Sequence, residues 1–159
     1  MKGLVLTIGA VAAALSLTLG LSVASASTSS ASASAKVAAA NSSLGRILVD
    51  GRGRTLYLFA KDRNGKSACA GACAAYWPPL IASGKPQAVA GANQSLLGTT
   101  RRADGRLQVT YRHHPLYRFS GDTSKGMTSG QGLDDFGGKW WAVSPAGNKI
   151  ASMASPATG

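Results

Sequence analysis

The chain contains 159 residues, of which 45% are hydrophobic and only 14% are charged. This length fits one domain, and this composition excludes a charge-rich disordered chain and a coiled coil. The 17 basic side chains outnumber six acidic ones, so the net charge is +11, and every acidic residue is Asp. Because Glu is favoured in helices, its absence argues against a mostly helical surface.

The first 26 residues have the features of a secretory signal peptide. Lys2 supplies a positive start, residues 3–21 are uncharged and mostly apolar, and Ala24-Ser25-Ala26 fits the A-x-A cleavage pattern. We therefore predict cleavage after Ala26. An uncleaved anchor helix is the alternative, because the apolar stretch is near the length needed to span a bilayer. No cysteine precedes Cys69, so the sequence predicts no lipid anchor at the cleavage site.

Residues 27–43 are mostly Ala and Ser and contain no aromatic side chain. This composition is typical of a flexible spacer, since it offers little to bury. We expect the folded domain to cover residues 44–154 and a C-terminal tail to cover residues 155–159.

The predicted domain contains an internal repeat. Residues 45–62 align with residues 105–122 at an offset of 60 without a gap, and 8 of the 18 aligned positions are identical. The identical pairs are Gly45/Gly105, Arg46/Arg106, Val49/Val109, Arg52/Arg112, Leu56/Leu116, Tyr57/Tyr117, Phe59/Phe119 and Asp62/Asp122. We conclude that the domain consists of two copies of one supersecondary unit.

Each copy predicts a β-hairpin, one turning at Gly51-Arg52-Gly53 and the other at residues 112–115. The predicted strands cover residues 46–50, 55–61, 97–102, 106–111, 116–120, 140–143 and 149–152. No segment has a long helical period, although residues 68–75 suit one short helical turn. The sequence therefore predicts an all-β domain, a small sandwich or partly open barrel built from two repeated hairpin units.

Both copies end in the pattern Y-x-[FWY]-x-x-D, formed by Tyr57, Phe59 and Asp62 and by Tyr117, Phe119 and Asp122. This pattern resembles a bacterial family of predicted lipoproteins and secreted proteins that carry it twice, described as a secreted repeat of unknown function. The segment from Cys69 to Leu80 and the Gly-rich stretch 130–145 resemble the same family. The resemblance covers about residues 45–147, and it implies an exported or envelope protein without implying an activity.

The motif residues have a structural and a functional interpretation. We expect the four motif aromatics to be core side chains on paired strands, with an exposed ligand surface as the alternative. Asp62 and Asp122 are expected to accept backbone N–H bonds in Asx turns. If a pseudo-twofold axis relates the copies, the two carboxylates could instead meet and bind a hard cation such as Ca²⁺.

Two further groups of residues are candidates for a site. Cys69 and Cys73 are expected to form a disulfide in an exported chain. The alternative is a copper or zinc site that joins these cysteines to His113 and His114, which requires reduced thiols. The candidate surface aromatics are Trp77, Trp140 and Trp141. Because the adjacent pair alternates on a strand, one ring faces outward, and we favour its cover by the Gly-rich loop 126–138 over exposure for stacking.

The sequence contains no nucleophile elbow, P-loop, zinc-protease or EF-hand pattern, and it offers few groups for acid–base catalysis. We therefore predict an exported, non-catalytic cell-envelope protein that needs no cofactor. Its cations predict attraction to anionic wall polymers or membrane surfaces, with solubility alone as the alternative, and no nucleic-acid partner. The second hypothesis is a metal-binding or redox protein that uses Cys69, Cys73, His113 and His114.

Overall fold

The structure is a computed structural model that describes residues 34–151. The predicted signal peptide, the first part of the predicted spacer and the predicted C-terminal tail lie outside the described residues.

Within residues 34–151 the chain forms nine strands, one short helix and one 3-10 turn at Gln94–Leu96. They are β1 (Lys36–Ser42), β2 (Gly45–Asp50), β3 (Tyr57–Phe59), α1 (Ala72–Tyr76), β4 (Gln87–Ala88), β5 (Leu97–Arg101), β6 (Leu107–Tyr111), β7 (His114–Pro115), β8 (Asp134–Asp135) and β9 (Gly138–Ala142). The strands form three sheets, in the orders β2-β1-β4, β3-β9-β8 and β5-β6-β7. The all-β prediction is confirmed as a small sandwich-like fold, and across the described strands no sheet closes into a barrel.

The first strand lies inside the predicted spacer. β1 pairs antiparallel with all of β2, from Val37 opposite Asp50 to Ser42 opposite Gly45, and Val37 is fully buried. The spacer prediction is therefore wrong for residues 36–42, and the fold begins near residue 36 rather than residue 44. Composition hid this strand because the small side chains of Ala38 and Ala40 are sufficient to pack against the core.

The predicted hairpins are present in part. β6 and β7 enclose a two-residue turn at Arg112 and His113, whose φ angles are 47° and 66°. Positive φ at both positions is the geometry of a type I′ turn, which matches the twist of a hairpin. The predicted strand 116–120 is wrong, however, because within these residues only Tyr117 makes bridges, to Tyr57 and Pro79.

The two copies align in space with a one-residue shift from the sequence alignment. Leu48 and Val109 make the same contacts. Each donates its N–H to the carbonyl three residues after a buried Trp, and each carbonyl accepts from the Leu before the motif Tyr. The ungapped sequence alignment instead matches Val109 with Val49. The turn between β2 and β3 is one residue longer than the turn between β6 and β7. The turn between β5 and β6 is in return one residue longer than the turn between β1 and β2, so the offset of 60 is restored at the motif Tyr.

The core consists of two hydrophobic clusters that share β3. Tyr57 and Phe59 belong to one cluster, while Leu56 and Leu58 belong to the other. Because side chains alternate along a strand, this strand is buried on both faces. No helix among the described residues is long and apolar enough to cross a membrane.

Candidate functional site

The two motif tyrosines lie directly opposite each other. The peptide N–H of Tyr57 donates to the carbonyl of Tyr117 at 2.8 Å, and the return bond is 3.0 Å long. Equivalent residues of the two copies therefore meet across one antiparallel bridge. Such pairing is the geometry of a pseudo-twofold axis between the copies.

The motif carboxylates are exchanged between the copies. The hydroxyl of Tyr57 donates to Asp122 Oδ2 at 2.6 Å, and the hydroxyl of Tyr117 donates to Asp62 Oδ2 at 2.9 Å. Each copy therefore supplies the acceptor for the tyrosine of the other. The duplicated pattern is one reciprocal unit, because neither tyrosine is satisfied by its own copy.

The remaining carboxylate oxygens accept backbone bonds, as predicted. Asp62 Oδ1 accepts from the N–H of Ala68 at 2.7 Å, and Asp122 Oδ1 accepts from the N–H of Ser129 at 2.9 Å. These donors lie six and seven residues further along the chain, so the expected local Asx turns are wrong. Within residues 34–151, no three His, Cys or Asp side chains are grouped so that they could hold a metal ion. Both oxygens of each motif carboxylate accept hydrogen bonds within the protein, and the two-carboxylate Ca²⁺ site stays a hypothesis.

Trp77 and Trp140 stack at the centre of the same cluster. Their ring centroids lie 3.9 Å apart and their planes differ by 4°. Trp77 contacts Tyr57 edge-on at 5.4 Å, and Trp140 contacts Tyr117 edge-on at 5.1 Å. Each Trp also packs against a motif Phe, since Phe119 contacts Trp77 and Phe59 contacts Trp140. The core interpretation is thus confirmed for Tyr57, Phe59 and Tyr117, which are buried, whereas Phe119 is half-buried and packs against the same cluster.

Two of the three candidate surface aromatics are wrong. Trp77 and Trp140 are fully buried, because they form the central stack. The Gly-rich loop covers this stack so closely that a Cβ at Gly130 would lie 2.8 Å from the Trp77 ring. Trp141 is half-buried beneath Lys149, whose Nζ lies 5.7 Å from a ring centroid, and Gly132 of the loop packs against it.

One aspartate outside the duplicated motif accepts a hydrogen bond from each of the two buried indoles. Trp77 Nε1 donates to Asp135 Oδ2, and Trp140 Nε1 donates to the carbonyl of Asp135, both at 3.1 Å. Asp135 lies at the turn between β8 and β9. No local sequence signal marks it, since its role depends on the position that this hairpin takes over the stack.

The reciprocal unit is closed on one side and open on the other. Asp122 is only 1% exposed, whereas Asp62 is half-buried. Asp62 and His114 line two adjoining cavities of about 340 and 560 Å³. Burial raises the pKa of Asp62 to about 6, and burial together with the charge of Arg112 lowers the pKa of His114. The open side therefore presents a protonatable carboxyl group next to an imidazole.

A buried arginine extends the open side toward the cysteines. Arg102 donates to Ser67 Oγ at 2.9 Å, to the carbonyl of Cys69 at 2.7 Å and to Gln108 Oε1 at 2.7 Å. Ser67 Oγ also lies 2.7 Å from the Tyr117 hydroxyl. No repeat pattern marks Arg102 or Gln108, because the first copy has the apolar Ile47 at the position that Gln108 takes in space.

The predicted disulfide between Cys69 and Cys73 is confirmed, and both residues are buried. The alternative metal site is wrong as a set of ligands, because the two sulfurs are bonded to each other. The histidines also lie elsewhere. His113 and His114 line a cavity with Asp62, whereas Cys69 lines one with Arg102.

Cations surround the turn between β2 and β3. This group, called the turn cluster here, consists of Lys36, Arg52, Arg54, Arg118 and Lys125. Lys36 packs 3.3 Å from the Cβ position of Gly51, and Lys125 packs 3.1 Å from that of Gly53. A side chain at either glycine would press on a lysine, so both lysines lie close to the backbone of the turn.

One acid lies within the turn cluster, and it is buried. Asp50 is 5% exposed, and its Oδ1 accepts the peptide N–H groups of Arg52 and Arg54, each at 2.9 Å. Its Oδ2 lies 3.6 Å from Arg118. Asp50 therefore rigidifies the turn from inside, while the side chains of Lys36, Arg52 and Lys125 are exposed.

The pKa of Asp62 leads to a prediction about pH. As the pH rises from 4 to 7, we expect the free energy of unfolding of the wild-type protein to fall by about 1–2 kcal/mol more than that of Asp62→Asn. A raised folded-state pKa means that the protonated carboxyl favours folding below pH 4, and that this contribution is lost as the pH rises through about 6. Urea unfolding at each pH measures the difference.

Asp104→Asn is the matched control for this measurement. The Arg106 guanidinium lowers the pKa of Asp104 to about 2, so its contribution is lost only as the pH falls below the ordinary range of Asp. The wild-type and Asp104→Asn curves should therefore run parallel between pH 4 and pH 7. If the Asp62→Asn curve were also parallel to wild type, Asp62 would not titrate differently in the folded state.

A family model described as a secreted repeat of unknown function matches residues 38–81 and 98–144. The two matches cover the two copies described above and include both halves of the reciprocal unit. No curated protein and no solved structure matched the chain.

Proposed function

We propose that this chain, which belongs to the family of secreted repeats of unknown function, binds an anionic polymer of the cell envelope through the turn cluster. The family description supports an extracellular or envelope location and assigns no catalytic activity. The proposed role is therefore non-catalytic binding.

The observation that carries the proposal is the charge around the turn between β2 and β3. Five cations meet there, and the one acid among them, Asp50, is buried. Charges within about 8 Å of one another act together at physiological salt, so this surface favours a ligand with repeated negative groups. The arginines add a planar fork that suits phosphate or carboxylate oxygens.

A shallow cavity runs into the same surface. It measures about 480 Å³, and its lining includes Lys36, Arg52 and Arg118 together with the apolar side chains of Leu80 and Ile81. A polymer with alternating anionic and apolar groups would find both kinds of contact there. A small free anion would contact only the charged side chains of this cavity, so we expect a polymer to bind more tightly than a single ion.

The test uses fluorescently labelled polyphosphate as the anionic polymer and labelled dextran as the neutral one. We expect Lys36→Ala, Arg52→Ala and Lys125→Ala together to weaken polyphosphate binding by about tenfold or more, measured by fluorescence anisotropy. All three side chains are exposed, so the fold should not change. Raising the salt concentration should weaken polyphosphate binding more steeply for the wild-type protein than for the triple variant.

The matched control removes the same number of Lys and Arg charges from another exposed turn, by Lys61→Ala, Arg63→Ala and Lys66→Ala. This variant should lose less than about threefold in affinity, because long-range attraction depends on net charge while contacts depend on position. Equal losses in the two triple variants would show that net charge alone attracts the polymer. Equal binding of dextran would also contradict the proposal.

A further inference from the structure

Two corresponding strands of the repeat differ in what lies beside them. β1, in the first copy, pairs with β2 on one side and with β4 on the other. β5, in the second copy, pairs with β6 on its inner side, and among residues 34–151 no strand pairs with its outer side. The pseudo-twofold symmetry is therefore broken at this edge of the fold.

The contacts on the covered edge show which groups are involved. The carbonyl of Val37 accepts from the N–H of Val89 at 2.9 Å, and the N–H of Ala39 donates to the carbonyl of Ala90 at 3.1 Å. β4 and the two residues after it thus run along β1 as a parallel strand. The occupant contributes small side chains, from Ala88 to Ala90.

The same groups of β5 point outward. Backbone hydrogen bonds to the β6 side flank β5 at both ends. The carbonyl of Leu96 accepts from the N–H of Arg112, and the N–H of Arg102 donates to the carbonyl of Arg106. Because bonded and outward-facing positions alternate in an antiparallel pair, Leu97, Thr99 and Arg101 direct their peptide groups away from β6. Leu97 and Thr99 are the counterparts of Val37 and Ala39 at the repeat offset.

The second copy does not use its own chain to cover this edge. In the first copy, the segment after the buried Trp continues outward and returns as β4. In the second copy, the chain after β9 turns back at once, since Ser144 donates to Asn148 and Ile150 donates to Ala142, both at 2.9 Å. Through residue 151, the counterpart of β4 therefore lies against β9 instead of β5.

A hollow of about 340 Å³ runs beside the free edge. Its lining includes Pro86, Leu97, Thr99 and Leu107, and Leu107 is 36% exposed. Lys85 is the one charged side chain in this lining. The hollow therefore suits small apolar side chains, and its charge favours a segment with neutral or acidic flanks.

We propose that β5 is a docking edge for an extended segment of another exported polypeptide, which adds as a parallel strand beside Leu97–Arg101. Main-chain bonds to Leu97 and Thr99 hold the segment, and the hollow receives its small apolar side chains. A second copy of this chain fits less well. Two copies related by a twofold axis would pair their β5 strands antiparallel, unlike β4 on β1, and each carries a net charge of +11.

The test follows amide hydrogen exchange at Thr99 by NMR in the secreted protein. The probes are a synthetic peptide with the sequence of residues 84–92, which covers the equivalent edge in the first copy, and the same peptide with Lys85→Asp. At a saturating peptide concentration, we expect exchange at Thr99 to slow by about tenfold or more. Exchange at Thr100, whose peptide groups face β6, should change less. The acidic peptide should bind more tightly than the unchanged one.

A pair of variants tests the edge through the binding of the labelled acidic peptide. Thr99→Pro removes the outward N–H at an edge position that tolerates Pro, whereas Thr99→Ala keeps it. We expect the first variant to lose at least about tenfold in affinity and the second less than about threefold. The exchange measurement uses the unmodified protein, so it stands even where the Pro variant fails to fold.

Three results would overturn the proposal. Unchanged exchange at Thr99 with both peptides at millimolar concentration would show that the edge does not accept a strand. Protection of Thr99 that appears with protein concentration, together with a dimer in sedimentation, would assign the edge to a second copy. Protection of Thr99 in the dilute protein alone would assign it to a segment of the same chain.

Discussion

Replacing Trp140 with Ala should lower the free energy of unfolding by about 3–5 kcal/mol, which is the usual cost of truncating a buried Trp. Trp140 is fully buried between Trp77 and Phe59, with ring centroids 3.9 and 4.0 Å away. The variant would leave a void where three stacked rings now touch, and it would remove the indole donor to Asp135. Because domains of this size are stable by only about 5–15 kcal/mol, a substantial share of that stability would be lost.

Trp141→Ala is the matched control, since it removes the same side chain one residue later. Trp141 lies on the other face of β9, is half-buried, and packs under Lys149. Its truncation should lower the free energy of unfolding by less than half as much, because the Trp141 side chain buries less apolar surface on folding. Urea unfolding followed by far-UV circular dichroism compares the two variants without relying on Trp fluorescence. Equal losses would mean that the stack has no special share in stability.

Asp122→Ala should cost about 2–4 kcal/mol, because the buried hydroxyl of Tyr57 and the part-buried N–H of Ser129 lose their acceptor. The hydroxyl of Tyr57 and the N–H of Ser129 both point at this carboxylate, which is 1% exposed. The corresponding change in the other copy, Asp62→Ala, should cost less. Asp62 is half-buried, and Tyr117 keeps a contact with Ser67 Oγ when the carboxylate is removed.

A double-mutant cycle isolates the bond between the copies. Tyr57→Phe and Asp122→Ala should show a coupling energy of about 1–3 kcal/mol in urea unfolding, because the two groups contact each other directly. Tyr57→Phe combined with Asp104→Asn should couple by less than about 0.5 kcal/mol, since these residues share no partner. No coupling between Tyr57 and Asp122 would mean that this bond contributes nothing to the stability of the joined copies.

The reciprocal unit gives a physical reason for the spacing in the duplicated motif. The Tyr lies on the bridge between copies, the Phe two residues later faces the same side and packs on a Trp, and the Asp follows where the strand has ended. The carboxylate is then free to reach the opposite Tyr. One copy alone would bury a Tyr hydroxyl without an acceptor, which is costly, so the motif is useful only in duplicate.

Several features of the protein follow from the sequence because they depend on local patterns. The repeat is visible as identities at one offset, the all-β class as alternating short runs between turn residues, and the disulfide as two nearby cysteines in an exported chain. The buried aromatics of the motif belong here too, since alternation along β3 places Tyr57 and Phe59 on one face. The family resemblance rested on the same patterns.

Other features were decided only in the tertiary structure, because they are contacts between residues far apart in the chain. Tyr57 and Asp122 are 65 residues apart, and Trp77 is 58 residues from Asp135. No local pattern predicts such pairs. The sequence did not predict β1, because its Ala and Ser residues show no alternation of large apolar side chains. It also did not predict the free edge of β5, because that edge depends on where the chain turns after β9. Composition and periodicity indicate the secondary structure of each segment, whereas the candidate sites are formed by contacts between segments that are distant in the sequence.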